Sequence, residues 1–176
     1  MKEIRWHARA GQGAKTASQL TALGLLAAGK SVQAFPEYGP ERRGAPMRAY
    51  TRLDEQPIRR HDAVTAPDVV VVLEPSLLET VDVTEGLKDG GLLLVNAEPG
   101  SLNGRSLCVP AGRIAAEHHS KFVNLVMVGA LAAALGEPEL EDLVAAAVSL
   151  LGRKADPAAL REALEAGYEA VQAVTA

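Results

Sequence analysis

The run from Asp68 to Leu73 constrains the fold more than any other stretch, because it is almost entirely β-branched. Its sequence, Asp-Val-Val-Val-Val-Leu, predicts a strand that is covered on both faces, as is typical of parallel sheets. A second apolar run, Leu92 to Val95, follows the Gly90-Gly91 pair. Because such strands alternate with helical patterns, the sequence predicts an α/β fold with a Rossmann-like, mostly parallel sheet flanked by helices.

The N-terminal segment has the order strand, glycine turn, helix. Residues 2–7 predict the strand, Ala8-Arg9-Ala10-Gly11-Gln12-Gly13 the turn, and leucines at helical spacing a helix over 14–29. Such a turn presents backbone amides at a helix N-terminus, where anions are favoured. Thr16 stands where a dinucleotide fingerprint has its third glycine, and Lys15 lacks the earlier glycine of a P-loop, so neither fingerprint is met. An anion site and a plain tight turn both stay open.

The segment from Pro36 to Pro46, Pro-Glu-Tyr-Gly-Pro-Glu-Arg-Arg-Gly-Ala-Pro, follows a predicted strand over 31–35. Its prolines fix φ and remove backbone donors, so no helix or central strand runs through it. We expect a stiff loop that presents Glu41 and Arg42, since arginine has a planar fork of donors suited to carboxylate or phosphate. The alternative is a surface connection with solvated charges. Glu37 stands roughly where a dinucleotide-binding fold places its ribose acid, although its proline neighbour weakens the match.

A basic stretch follows. Residues 47–53 alternate in polarity, which predicts a strand with Arg48, Tyr50 and Arg52 on one face. Six arginines lie within the interval 42–60. Two interpretations are open: a solvated edge, or a basic face toward an anionic ligand or an acidic partner.

The second half of the chain is predicted to be helical. Residues 122–135 are apolar nearly all round and too few to span a membrane comfortably, so we expect a helix buried in the core or against a partner subunit. Asn124 within it needs hydrogen-bond partners, either backbone that it caps or the glycine turn. Amphipathic patterns predict two more helices in a C-terminal part over 139–175. No flexible linker or internal repeat interrupts the chain, so we expect one domain over 1–176.

Composition excludes several classes of function. The net charge of −4 and the aromatic content of 3% argue against nucleic acid as a partner. The single cysteine, Cys108, excludes an internal disulfide and cannot alone hold a zinc ion or an iron–sulfur cluster. The chain enters its first strand without an apolar signal segment, so we expect a cytoplasmic protein with no membrane partner.

No catalytic constellation emerges from the titratable residues. Glu74 and Glu98 each follow a buried strand, which suits the ligand-binding edge of a sheet, but nothing in the sequence pairs them as acid and base. Cys108 is expected to be a buried, inert thiol. The histidines are scattered, and each is expected to be exposed or satisfied by hydrogen bonds: His7, His61, His118 and His119.

Three stretches together resemble the gamma subunit of the 2-oxoacid:acceptor oxidoreductase family, of which pyruvate:ferredoxin oxidoreductase is the best-known member. They are Ala10-Gly11-Gln12-Gly13, the segment Pro36 to Pro46, and the run Val123 to Leu131. The similarity covers about residues 2 to 135. The family's glycine turn usually has the sequence Gly-Arg-Gly-Gly-Gln-Gly, so two of its glycines are replaced here, by Ala8 and Ala10.

The resemblance implies a complex that decarboxylates a 2-oxoacid such as pyruvate oxidatively to acyl-CoA. Thiamine diphosphate, Mg²⁺ and iron–sulfur clusters would belong to the catalytic and iron–sulfur partner subunits. This chain would be the non-catalytic gamma subunit, inactive alone and without a cofactor of its own. Its loops would face coenzyme A or a partner subunit, with Arg42 holding a phosphate or an inter-subunit carboxylate and Glu41 orienting it. A purely structural role, in which these residues brace the loop, stays open. The motif positions expected to face the ligand or the interface are Gly11, Gln12, Gly13, Tyr38, Gly39, Glu41, Arg42 and Gly44.

Other functions stay open at this point. One is the related subunit of an arylpyruvate-type oxidoreductase, acting on indolepyruvate or phenylglyoxylate. Another is a stand-alone nucleotide-binding domain built on the glycine turn and Glu37. A third is a pure assembly module that docks through residues 122–135. The sequence does not choose the oxoacid or the electron acceptor.

Overall fold

The computed structural model describes residues 1–37, 44–102, 106–118 and 121–175. Within these residues the strands are β1 (Lys2–Arg9), β2 (Ser31–Pro36), β3 (Pro46–Asp54), β4 (Val69–Val72), β5 (Leu92–Asn96) and β6 (Ser106–Val109). The α-helices are α1 (Ala14–Ala27), α2 (Ala111–Glu117), α3 (Val123–Leu135), α4 (Leu140–Leu151) and α5 (Pro157–Thr175). A 3₁₀ turn, Pro75–Glu79, follows β4. Every strand expected from the sequence is present, whereas α2 was not predicted.

The strands form one sheet in the order β2-β3-β1-β4-β5-β6. The pairs β1–β4, β4–β5 and β5–β6 are parallel, and β3 is antiparallel to both of its neighbours. The predicted Rossmann-like, mostly parallel sheet flanked by helices is therefore confirmed. A solvated edge was one of two alternatives for the arginines of 42–60. It is wrong for Arg48 and Arg52, because they lie in β3, between β2 and β1.

The main apolar core joins one face of the sheet to all five described helices. In β4, Val69 and Val71 belong to this core, while Val70 and Val72 belong to a smaller cluster with Leu77 of the 3₁₀ turn. The valine run is thus buried on both faces, as its composition predicts. Residues Leu125 to Ala132 of α3 are buried, which confirms the buried helix. Among the described residues, no helix has both the length and the apolar character needed to cross a membrane.

The opposite face of β1 and β3 carries a buried ladder of polar pairs. The directly opposed residues are Glu3 with Arg52, Arg5 with Tyr50, and His7 with Arg48. The Arg52 side chain has no exposed surface; its Nε lies 2.9 Å from Glu3 Oε1, and its Nη2 donates to the Asp62 carbonyl at 2.7 Å. Arg52 therefore makes its hydrogen bonds inside the protein and is not part of an open basic face.

His7 is held neutral within this ladder. It is 2% exposed, and its Nε2 accepts a hydrogen bond from Arg5 Nε at 3.0 Å. Burial, together with the positive charges of Arg5 and Arg48, lowers the pKa of His7 to about 3. The expectation of a hydrogen-bonded histidine is confirmed at this position.

The depressed pKa of His7 predicts a loss of stability in mild acid. Between pH 6.5 and about 3, His7 binds a proton in the unfolded chain but not in the folded chain. The contribution of His7 to the free energy of unfolding is therefore fully present above pH 6.5 and is lost as the pH falls through this window. At pH 5 we expect the contribution of His7 to be a loss of about 2 kcal/mol relative to pH 7.5.

Urea unfolding of the wild type and His7→Gln at pH 7.5 and 5 measures this loss. His7→Gln keeps a side-chain acceptor for Arg5 and should lose less stability at pH 5 than the wild type. The control is His61→Gln, at an exposed position, which should retain the wild-type dependence. Equal losses in His7→Gln and the wild type would contradict the assignment.

Candidate functional site at the carboxyl ends of β1 and β4

The carboxyl ends of β1 and β4 lie side by side where the chain leaves the sheet in opposite directions. After β1 the chain continues through α1 to β2 at one edge, and after β4 it continues to β5 toward the other edge. Open α/β sheets bind ligands in the crevice at such a switch point. The glycine turn follows β1 and Glu74 follows β4, so both border this crevice.

The glycine turn depends on two glycines with positive φ. Gly11 has φ 98° and Gly13, the N-cap of α1, has φ 82°. The Gly13 carbonyl accepts a hydrogen bond from Asn124 Nδ2 at 3.4 Å, and a Cβ at Gly13 would lie 2.6 Å from that nitrogen. Of the two alternatives for Asn124, contact with the glycine turn is therefore the one observed. Ala8, where the family has glycine, is fully buried within β1.

Gln12 joins the turn to the end of β4. Its Oε1 accepts from the Arg9 backbone N–H at 2.7 Å, and its Nε2 donates to Glu74 Oε2 at 2.6 Å. Glu74 Oε1 also accepts from the Ser76 backbone N–H at 3.2 Å. Burial opposes ionisation of Glu74, but the hydrogen bonds from Gln12 and Ser76 and the charge of Arg9 outweigh it and hold the pKa of Glu74 below its usual range. Glu74 is therefore a fixed carboxylate and not a proton donor at neutral pH.

The C-terminal end of the segment 36–46 is held beside the same turn. Arg9 Nη1 donates to the Gly44 carbonyl at 3.1 Å, and the Ala10 N–H donates to the Ala45 carbonyl at 2.9 Å. Gly44 is thereby brought to the edge that carries Gln12. The structure joins four of the predicted positions, Gly11, Gln12, Gly13 and Gly44. The other four lie outside the described residues, and their roles stay predictions: Tyr38, Gly39, Glu41 and Arg42.

A cleft of about 550 Å³ opens between the glycine turn, the ends of β4 and β5 and the first turn of α3. This volume is in the range of small-ligand pockets. Apolar walls come mainly from Leu73, Phe122 and Leu125. Its polar side chains are Gln12, Thr16, Glu74, Asn96, Lys121 and Asn124.

Glu37 does not lie at this site. Because β3 separates β2 from β1, the end of β2 is two strand spacings, about 10 Å, from the end of β1. The Glu37 carboxylate accepts a hydrogen bond from the Tyr50 hydroxyl, and burial together with this bond raises the pKa of Tyr50 to about 12. The structure therefore gives no support to a ribose-binding role for Glu37.

The remaining titratable residues form no second site within the described part of the chain. Glu98 pairs with Arg113 at 3.0 Å. His61 is exposed, His118 contacts Glu162 at 2.8 Å, and Cys108 is buried, all as expected. His119 lies outside the described residues. No group of three or more His, Cys, Asp or Glu among the described residues is arranged to hold a metal ion.

A match to a protein-family model identifies the family of this chain. The model for pyruvate ferredoxin/flavodoxin oxidoreductase matches residues 3–173. The chain belongs to this family.

Individual relatives of the pyruvate ferredoxin/flavodoxin oxidoreductase family match most of the chain. The pyruvate/ketoisovalerate oxidoreductases common subunit gamma of Thermococcus kodakarensis is 48% identical over 153 residues, which cover 81% of this chain and 83% of the relative. The crystal structure of pyruvate oxidoreductase subunit PORC from Thermotoga maritima is 42% identical, with a TM-score of 0.82 over 96% of each chain. The fold is also similar to part of 2-oxoglutarate:ferredoxin oxidoreductase from Magnetococcus marinus, with a TM-score of 0.78 and 20% identity. The match covers 98% of this chain and 31% of that chain.

These comparisons confirm the resemblance seen in the sequence. The chain is a gamma subunit of a multi-subunit oxoacid oxidoreductase, so it works with catalytic partner subunits. The arylpyruvate-type and stand-alone nucleotide-binding alternatives are not favoured.

Sequence reasoning missed several side chains of this candidate site. Arg9 stands inside the glycine-turn motif, so the motif itself was a signal for it. No comparable signal marks Asn96 and Lys121, which line the cleft, or Ser76, which accepts from Arg9, because their positions depend on how β4, β5 and α3 pack.

The close approach of Asn124 to Gly13 gives a stability prediction. Gly13→Ala introduces both positive-φ strain and a Cβ 2.6 Å from Asn124 Nδ2, and we expect a destabilisation of about 2–3 kcal/mol. Gly11→Ala is the matched control, because Gly11 has φ 98° but an added Cβ there would have no atom of the described residues within 4 Å, and it should lose about 1 kcal/mol.

Urea unfolding of both variants, alone and combined with Asn124→Ala, separates the cost of positive-φ strain from the cost of the contact with Asn124. Removing the Asn124 side chain should reduce the cost of Gly13→Ala and leave that of Gly11→Ala unchanged. If Asn124→Ala changes neither cost, the proposed steric contact is wrong.

Proposed function

We propose that this gamma subunit serves a complex that oxidatively decarboxylates pyruvate to acyl-CoA and passes the electrons to a ferredoxin-class carrier. The observation that carries the proposal is the similarity along most of the chain to gamma-type subunits named for pyruvate or pyruvate and ketoisovalerate oxidoreductases. The site geometry is consistent with a supporting role, since the hydrogen bond from Gln12 helps to hold Glu74 as a fixed carboxylate. We further propose a single gamma-type domain that acts in the cytoplasm.

The cofactors of the proposed reaction belong to partner subunits. The only cysteine of the chain, Cys108, is buried in β6, so its thiol offers no site for an iron–sulfur cluster. Thiamine diphosphate with Mg²⁺ would supply the decarboxylation chemistry, and iron–sulfur clusters the electron path, both outside this chain. We therefore expect no oxidoreductase activity from the isolated subunit.

The cleft at the ends of β1 and β4 is proposed to face coenzyme A or a neighbouring subunit. The backbone amides at the start of α1, which no described side chain caps, suit a phosphate group, and Lys121 adds a positive charge at the rim. Gly11, Gln12, Gly13 and Gly44 are the described residues of this proposed surface. Tyr38, Gly39, Glu41 and Arg42 are proposed to extend it, with Arg42 binding a phosphate or an inter-subunit carboxylate.

Reconstitution of the anoxic complex with and without this chain tests the proposal. We expect pyruvate- and coenzyme-A-dependent reduction of ferredoxin only with all subunits present, and a slower reaction with indolepyruvate. Gln12→Ala should raise the KM for coenzyme A and leave that for pyruvate unchanged, while Gln56→Ala, at an exposed turn position, should change neither. Full activity without this chain, or a preference for indolepyruvate, would contradict the proposal.

A further inference from the structure

Arg9, the last residue of β1, connects two other loops to the glycine turn. Its guanidinium donates from Nη1 to the Gly44 carbonyl at 3.1 Å, and from Nε and Nη2 to Ser76 Oγ at 3.3 and 3.0 Å. These acceptors belong to the end of the segment 36–46 and to the 3₁₀ turn after β4, which are 35 and 67 residues away in the chain. Among the described residues, Arg9 forms no salt bridge within 4.0 Å, so its donors are directed to neutral oxygens.

The backbone of Arg9 takes part in the same network. Its N–H donates to Gln12 Oε1 at 2.7 Å, and its carbonyl accepts from the Gln12 N–H at 3.1 Å. Gln12 in turn donates to Glu74, the residue from which the 3₁₀ turn begins. The chain segments around Arg9, Gly44 and Glu74 are therefore held together through one residue and its hydrogen bonds.

We propose that Arg9 is a positioning residue that fixes Gly44 and the turn after β4 against Gln12, so that these loops present one ligand-facing surface. The inference deepens the proposed function and rests on it. Arg9 is only half-buried and lies at the rim of the sheet, outside the apolar core, so its hydrogen bonds order the site and contribute little to the packing of the fold.

The planar fork of arginine is essential to this role. Two acceptors in different loops lie on different edges of the guanidinium, a geometry that the single ammonium of lysine does not reproduce. Arg9→Lys therefore keeps the positive charge and removes the bridge. The matched control is Arg113→Lys in α2, where an exposed arginine pairs with Glu98 and Glu117 away from the glycine turn.

Amide hydrogen exchange of the isolated chain tests the positioning role without the partner subunits. The Ala10 N–H, which donates to Ala45, should exchange about tenfold faster in Arg9→Lys, because the hydrogen bond that holds the neighbouring Gly44 is lost. The amides of Val70 and Val71 in the buried strand β4 should keep their wild-type rates, as should the Ala10 amide in Arg113→Lys. An unchanged Ala10 rate in Arg9→Lys would overturn the inference.

Kinetics of the reconstituted complex test the consequence for the ligand. We expect Arg9→Lys to raise the KM for coenzyme A about fivefold or more with kcat nearly unchanged, a separation that a general loss of stability would not give. Arg9→Lys combined with Ser76→Ala should be no worse than Arg9→Lys alone, because both changes break the same bridge. A wild-type KM in Arg9→Lys, or additive effects of Arg9→Lys and Ser76→Ala on KM, would overturn the positioning role of Arg9.

An inactive wild-type complex would overturn the proposed function instead. The hydrogen-exchange result would then stand as a separate measurement of the positioning role.

Discussion

Gly167→Ala is expected to destabilise the chain by about 3 kcal/mol or more, against the normal preference of helices for alanine. Helices α3 and α5 cross with their backbones in contact: a Cβ at Gly167 would lie 1.9 Å from the Val126 carbonyl oxygen. On the opposing helix, a Cβ at Gly129 would lie 2.0 Å from the Leu164 carbonyl oxygen. Backbone atoms in two packed helices cannot move aside, so an added methyl group must separate the helices.

Urea unfolding of Gly167→Ala measures this cost, with Gly112→Ala in α2 as the matched control. Gly112 is a helical glycine, and the nearest described atoms to an added Cβ belong to Asn96, at 3.9 Å, so alanine there should be neutral or slightly stabilising. If Gly167→Ala is as stable as the wild type, α3 and α5 do not cross as closely as the structure shows.

Arg52→Met is expected to destabilise the chain by about 3–5 kcal/mol, because it leaves the Glu3 carboxylate buried without its partner. Glu3 is 5% exposed and Arg52 is 0% exposed, and the guanidinium also lies 5.3 Å from the centroid of the Phe35 ring. Replacing both members of the pair, Glu3→Leu with Arg52→Met, should recover much of the loss, since a buried ion pair is often no more stable than well-packed apolar residues.

Urea unfolding of the two single variants and the double variant at pH 7.5 gives the coupling. The control is Arg60→Met, which breaks an exposed contact with Asp62 on the same side of the sheet and should be indistinguishable from the wild type. Additive losses in the double variant would show that Glu3 and Arg52 do not stabilise the fold as a pair.

Local periodicity predicted the helices and strands well, and the pairing of the strands less well. The valine run and the apolar stretch 122–135 became β4 and α3, because burial on every side demands a continuous apolar sequence. The position of β3 between β2 and β1 was not predicted, since the choice of strand partner depends on contacts that are distant in sequence. The position of β3 explains two corrections: the arginines of β3 do not lie at an edge of the sheet, and Glu37 is two strand spacings from the end of β1.

The candidate site was predictable where a motif carries it. Gly11, Gln12, Gly13 and Gly44 were expected to share a surface, and hydrogen bonds through Arg9 bring them to one edge of the sheet. The contact between Asn124 and Gly13 was only one of two alternatives, because nothing in the sequence shows that α3 packs its first turn against the glycine turn. The arginine of the buried ladder, Arg52, was mistaken for a surface charge because its partner Glu3 is 49 residues away.

Native mass spectrometry of the chain isolated from its own cells under anoxic conditions tests whether it works as a gamma subunit. We expect a hetero-oligomer in which this chain is accompanied by a thiamine-diphosphate-binding subunit and an iron–sulfur subunit. A lone monomer or a homodimer that carries a bound nucleotide would contradict it and would make the glycine turn a binding site in its own right.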